Sequence, residues 1–339
     1  MFDSIPTFLP GQITAANIGS LENVSTKGEI KSIKQYDTEI SDVALMTACS
    51  EDVLWISDTH ILQKVKIEGS SLKIIDQIDI EILCMAYTQS KDLLLVAKES
   101  SVVKQINDQT GEITDSKYKV EDLEISAIHI NLDGKVTVGA YNGEISFPAK
   151  GRRAVIVMNR SGRHETTYEH DGRQGNPLFT LISNITRTKN GNIYVVDTLS
   201  KDMEGRLVIL SENGDVLNTF NGLSKISTKD MSDSDSEKKS DSDSDSYLES
   251  DSESESVSDS FQPVCVFTTP SDNLILLNFD NGILFLLNSS GNLISWYDTN
   301  KIGIINPISF CMTSEHTYIG CFTYEDSNDN AKIYEVDIL

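Results

Sequence analysis

Short polar turns alternate along this chain with runs of Val, Ile, Leu and Tyr. CSEDVLWISD (Cys49–Asp58), QSKDLLLVAK (Gln89–Lys98), LDGKVTVG (Leu132–Gly139), KNGNIYVVD (Lys189–Asp197), PSDNLILLN (Pro270–Asn278) and TSEHTYIGC (Thr313–Cys321) share one grammar. Each places a few turn-forming residues before a continuous apolar run, which is how a buried strand bounded by a tight turn reads. A second turn and an alternating segment follow, as in GRLVILSENGDVLNTF (Gly205–Phe220) and NGILFLLNSSGNLISWY (Asn281–Tyr297), where Asn213-Gly214 and Ser290-Gly291 supply the turn chemistry. Each unit therefore holds about four strands. The turn markers at Ser50, Ser90 and Leu132 are 40 and 42 residues apart, and those at Ser271 and Ser314 are 43 apart.

A four-stranded unit of this length, met six times, predicts an all-β, six-bladed β-propeller. The units fall at residues 41–80, 81–120, 121–172, 176–222, 261–300 and 301–339. A pair of β-sandwiches would supply strands but would not predict six equivalent turn markers. The last unit has three good strands, ending in AKIYEVDIL, and an open ring would leave an exposed edge. GEIKSIKQYD (Gly28–Asp37) is a spare strand at the other end of the chain and is expected to complete that blade. The organisation expected is a linker over 1–27, a propeller over 28–339, and an insertion within it over 223–260.

Charge sharpens the picture of that insertion. The 339 residues include 28 basic and 52 acidic ones, a net charge of −24. Between Ser232 and Ser260 lie 13 Ser and 11 Asp or Glu against Lys238 and Lys239, a local charge of −9 that leaves −15 on the rest. Such a tract buries too little apolar surface to offset ordering entropy and is expected to be disordered. Ser232, Ser234, Ser240, Ser242, Ser246, Ser250, Ser252 and Ser256 each have an acidic residue three positions on, the spacing that an acidophilic kinase of the casein kinase 2 type prefers. DSDSDS (Asp241–Ser246) resembles the opening of an EF-hand loop but lacks the sixth-position Gly and the closing Glu. The acidic remainder argues against nucleic acid and anionic membrane surfaces as partners.

Candidate chemistry is sparse. Cys49, Cys84, Cys265, Cys311 and Cys321 are odd in number, form no CxxC pair and sit in apolar runs, so buried free thiols are expected rather than a disulfide framework or a zinc module. The first residues show no basic n-region or h-region, and no stretch is long enough to span a bilayer, so the cytoplasm is the expected location. No nucleophile elbow, phosphate-binding Gly loop or metal-binding helix motif occurs. Of His60, His129, His164, His170 and His316, only His164 and His170 are close in sequence, and local hydrogen bonds are the expected role for all five. Trp55 and Trp296, within strand-like runs, are expected in the core.

Gly151–Gly222, with NGNIYVVD and then RLVILSENGDVL, resembles an NHL repeat region, although Glu204-Gly205 stands where that family usually has Asn-His. PTFLPGQITAANIGSL (Pro6–Leu21) resembles the segment after the coiled coil in invertebrate tripartite-motif (TRIM) proteins that end in an NHL-like propeller. The resemblance implies a ubiquitin-pathway setting in which a RING finger, B-boxes and a coiled coil precede a partner-selecting propeller. None of those three modules occurs in this sequence, so ligase activity is not implied and a monomer is expected.

The resulting expectation is a non-catalytic protein-interaction module without metal or cofactor, its partner a protein with a basic surface. A calcium-dependent propeller hydrolase is the alternative, and an RNA-binding NHL propeller is a third reading that needs a basic face. Topology places the expected binding face on the loops between second and third strands, with Ser57, Asp58, His60, Lys98, Tyr141, Lys150, Arg152, Arg153, Lys201, Phe279, Asp280 and Tyr324 as candidates. The acidic tract roots on that same face, where it could compete for Lys150, Arg152 and Arg153.

Overall fold

The computed structural model describes residues 26–27, 30–172, 175–222, 260–323 and 330–338. The linker residues before 26, most of the acidic insertion with all eight candidate phosphorylation serines, and Tyr324 lie outside the described residues.

Two strands open the chain, β1 (Thr26–Lys27) and β2 (Ile30–Asp37). Blade 1 holds β3 (Leu45–Ala48), β4 (Val53–Ser57), β5 (Ile61–Glu68) and β6 (Ser71–Asp79). Blade 2 holds β7 (Ile82–Tyr87), β8 (Asp92–Ala97), β9 (Val102–Asn107) and β10 (Ile113–Lys119). Blade 3 follows with β11 (Glu124–Ile130), β12 (Val136–Tyr141), β13 (Arg153–Met158) and β14 (His164–Tyr168). Blade 4 has β15 (Ile182–Arg187), β16 (Ile193–Thr198), β17 (Gly205–Leu210) and β18 (Val216–Phe220). Blade 5 has β19 (Pro263–Thr268), β20 (Leu274–Asn278), β21 (Ile283–Leu287) and β22 (Leu293–Asp298), with β1 added parallel to β22. Blade 6 contributes β23 (Pro307–Met312), β24 (Thr317–Cys321) and β25 (Lys332–Ile338), and β2 pairs antiparallel with β25 as its fourth strand. The six-bladed propeller and its closure by the N-terminal strand are thus as the repeat predicts. Among the described residues the helical content is one 3-10 turn at Asn300–Ile302.

The second strands are the continuous apolar runs of the sequence because both of their faces meet neighbouring blades. All six residues of β12 and all five of β20 and β24 are buried. The outermost strands face water on one side, and β6 and β10 are largely exposed. Six apolar clusters fill the junctions between successive blades. The one that seals the ring packs Tyr36 and Ile333 of blade 6 against Leu54, Ile56 and Val65 of blade 1. Trp55 sits in the junction of blades 1 and 2, and Trp296 in that of blades 4 and 5. Tight packing fixes Gly139 of β12: a Cβ there would fall inside the envelope of the Ile182 side chain. Gly320, at the matching place in β24, would bring a Cβ to 2.6 Å from Val43 Cγ1.

The innermost strands share a further feature. In β7, β11, β15, β19 and β23 the register with the second strand shifts near the start of the strand, at Ile82/Cys84, Ile125/Ala127, Ile182/Asn184, Pro263/Cys265 and Pro307/Ser309. A one-residue irregularity bends the strand and reverses which face the following side chains occupy. It therefore sets what the rest of each strand presents to the central channel.

Candidate functional site in the central channel

A cavity of about 530 Å³ lies on the propeller axis. Its wall is made by the C-terminal halves of the six innermost strands and by the turns that follow them, such as those at Leu132, Lys189, Asp272 and Ser314. It therefore opens on the face of the first turns, opposite the face where the second and third strands connect. Much of the wall is apolar: Met46, Met85 and Met312 contribute thioethers, Phe267 and Phe310 pack edge to face at 5.9 Å, and Leu132 stands 69% exposed at the rim.

The polar chemistry is concentrated on blades 3 and 4. His129 of β11 is half-buried, and its imidazole makes no hydrogen bond among the described residues. Burial, and then the positive charge of Arg187, push its imidazole down to about 4, so the ring is neutral through the physiological range. Arg187 ends β15, with Nε donating to the Gly191 carbonyl at 3.1 Å and Nη2 to Glu212 Oε1 at 2.9 Å. Lys189, in the next turn, donates from Nζ to the Pro270 carbonyl at 2.6 Å and from its backbone N–H to Asp272 Oδ1 at 2.8 Å. Thr186 and Thr268 hydrogen-bond to each other across blades 4 and 5 at 2.9 Å. Tyr87, on the neighbouring blade 2, donates to Asp108 Oδ2 at 2.9 Å, and Lys64 Nζ lies 2.5 Å from Asp108 Oδ1, which leaves that corner without net charge.

Burial keeps the two thiols of the wall protonated. Burial pushes Cys265 up to about 12 despite a backbone hydrogen bond from Phe310, and raises Cys311 as well. All five cysteines are free, with Cys311 and Cys321 buried and the other three partly so.

The loop residues singled out from the sequence divide by role. Asp58 Oδ1 accepts the His60 and Ile61 amides at 2.9 and 2.7 Å, and Ser57 Oγ accepts the Thr59 amide at 3.0 Å, so both shape their own turn. Tyr141 is buried beneath the Arg153 guanidinium, 5.4 Å from its ring. Arg153 is itself buried and donates to the Thr180 and Asn142 carbonyls at 2.8 and 2.7 Å, so it holds the loop and is withdrawn from competition for an acidic segment. Arg152 is exposed and paired with Glu169. Phe279 is half-buried and stacked on Phe322 at 5.4 Å. His60, Lys98, Lys150, Lys201 and Asp280 are exposed, Lys98 lying 3.6 Å from Glu81. None of these residues lines the channel. His164 Nε2 donates to the Lys119 carbonyl of the neighbouring blade at 2.9 Å, whereas the His129 ring has no such partner among the described residues.

No family model and no curated protein sequence matches this chain. Solved structures do match it in fold. A luciferin-regenerating enzyme is 10% identical, with a TM-score of 0.55 over 90% of this chain and 94% of its own. A streptogramin B lyase is 10% identical, with a TM-score of 0.53 over 91% and 98%. Regucalcin from Agrobacterium tumefaciens, a calcium-binding protein, is 10% identical, with a TM-score of 0.54 over 87% and 92%. At such identities the likeness establishes the propeller and nothing finer.

The likeness corrects the expectation that the chain is not an enzyme. Enzymes are built on this same fold, so the lack of a familiar sequence motif excludes nothing: a propeller assembles its channel from residues about 40 positions apart. A calcium centre is a different matter. The cavity wall holds one carboxylate, Asp272, and among the described residues no group of three or more His, Cys, Asp or Glu is arranged to hold a metal ion. Calcium asks for six to eight oxygen ligands, which this wall does not gather.

Proposed function

We propose that the chain is a propeller hydrolase acting on a small molecule in the central channel, with His129 as general base and Arg187 as the charge that stabilises the reacting oxygen. One observation carries the reading: an imidazole without a hydrogen bond among the described residues and a guanidinium line one cavity, where burial and that charge favour the neutral ring. A neutral imidazole accepts a proton from water as the water oxygen attacks an ester or lactone carbonyl. The negative charge then developing on the carbonyl oxygen meets the guanidinium. When the intermediate collapses, the imidazolium returns the proton to the departing alkoxide, leaving acid and alcohol. No metal enters these steps. Hydrolysis of a panel of aryl esters and lactones by wild type and His129→Gln tests the assignment. Loss of about a hundredfold or more in kcat, with an unchanged melting temperature, is the expected result. Equal rates in the two proteins would overturn it.

A second reading concerns the opposite face. Ile145, Leu199 and Met203 are 56%, 38% and 45% exposed on the loops joining second and third strands in blades 3 and 4. Together with the NHL-like sequence of Gly151–Gly222, they support partner docking there, compatible with catalysis in the channel. Met203→Asp combined with Ile145→Asp should abolish capture of any such partner and leave channel activity intact.

A further inference from the structure

We infer that the ligand of this channel is an apolar molecule bearing one anionic group, seated with that group toward blades 3 and 4. The inference rests on the reading of the channel as the functional site and adds the class of molecule it takes. The asymmetry of the wall is the first argument. Blades 5, 6, 1 and 2 present the aromatic pair Phe267 and Phe310 and the thioethers of Met312, Met46 and Met85, an adaptable apolar surface that suits rings and alkyl chains of varied outline. Blades 3 and 4 present His129, Arg187 and Lys189.

Charge is the second argument. The chain carries −24, yet the cavity wall holds two cations against the single carboxylate of Asp272. That carboxylate already accepts a backbone amide, from Lys189. Glu212, which pairs with Arg187, stands outside the wall with its side chain 67% exposed, where water screens it. The cations also keep donors in reserve. Lys189 Nζ has three N–H groups and uses one on Pro270, and Arg187 uses Nε and Nη2, leaving Nη1 free among the described residues. A second anionic group on the ligand would meet the apolar wall of the other blades, which limits the charge to one. The volume, about 530 Å³, suits a molecule of two or three rings.

The test uses two fluorescent probes with one aromatic body. 8-Anilinonaphthalene-1-sulfonate carries a sulfonate, and N-phenyl-1-naphthylamine is its neutral counterpart. Titration of the full chain, with near-ultraviolet circular dichroism confirming an intact fold, is expected to give one saturable site that favours the sulfonate by about tenfold. Lys189→Gln, at the exposed rim, and Arg187→Gln should each erase most of that preference and leave the neutral probe unchanged. Met85→Trp should block both probes. Equal binding of the two probes to wild type, or a preference that survives both cation substitutions, overturns the anion assignment while leaving the channel reading in place. Binding that ignores Met85→Trp, or no saturable binding of either probe, overturns the channel reading with it.

Discussion

Tyr36 donates its hydroxyl proton to Glu335 Oε2 at 2.7 Å, across 299 residues of chain. The pair joins β2 to β25 at the point where the ring closes, and Lys34 Nζ adds a second contact to Glu335 Oε1 at 2.6 Å. Glu335 is buried, so loss of either donor leaves a carboxylate short of a partner. Tyr36→Phe should therefore cost about 1–3 kcal/mol in chemical denaturation. Deleting residues 1–38 should cost several kcal/mol, since it opens the edge of β25 and empties part of the junction that seals the ring. An unchanged unfolding midpoint in the deletion would contradict closure by this strand.

The same contact makes closure sensitive to acid. Burial opposes the Glu335 charge, but hydrogen bonds from Lys34 and Tyr36 and the nearby His316 outweigh it and hold the carboxyl below its ordinary 4.5. A folded-state pKa below the unfolded one stabilises above the unfolded value, and the gain disappears as pH falls past it toward the folded value. Melting temperatures of wild type should fall below about pH 4.5, and those of Glu335→Gln should fall less steeply over the same range.

Packing between blades gives an independent prediction. Gly139→Ala drives a methyl group into Ile182, and Gly320→Ala drives one to 2.6 Å from Val43 Cγ1. Each should destabilise by about 1–3 kcal/mol, the usual cost of overpacking a filled core. Gly69→Ala is a control for backbone strain, because Gly69 has a positive φ of 67° but no atom within 4 Å of its added methyl. Denaturant midpoints of the three variants separate crowding from strain.

These positions also show where the sequence speaks and where it is silent. The ring was legible because the second strands must be apolar on both faces, which writes six runs such as LILLN and TYIGC into the chain, each after a turn. Gly214 and Gly291, in turns read from the sequence, take φ of +88° and +78° as those turns need. The channel was not legible. Its wall comes from strand ends about 40 residues apart, and the register shift in five of the six innermost strands reverses the alternation from which inward-facing residues would be counted. His129 looked like any strand histidine, because nothing in EISAIHI says that Arg187 lies beside it. Arg153 misled in the opposite sense: a basic residue beside a loop reads as exposed, yet the loop folds over it and supplies its acceptors from backbone carbonyls.

Thermal stability reports on His129 as well. Its folded pKa is depressed from 6.5 to about 4, so the unfolded chain takes up a proton in this interval that the folded chain does not. The stabilisation is complete above pH 6.5 and is lost as pH falls toward 4. His129→Gln should flatten the melting temperature over that window and leave it unchanged above pH 7. Parallel curves for the two proteins would contradict a neutral imidazole at this site.

Whether His129 is at once neutral and open to the channel is read in one measurement by carbethoxylation with diethyl pyrocarbonate. The reagent attacks neutral imidazole, and mass spectrometry assigns the rate to individual histidines. His129 at about 4 is almost wholly neutral at pH 5.5 and at pH 7.5, so its rate should be nearly the same at the two values. An imidazole of ordinary pKa would slow about tenfold over that interval. A tenfold drop for His129, or no modification of it at either pH, would contradict the account.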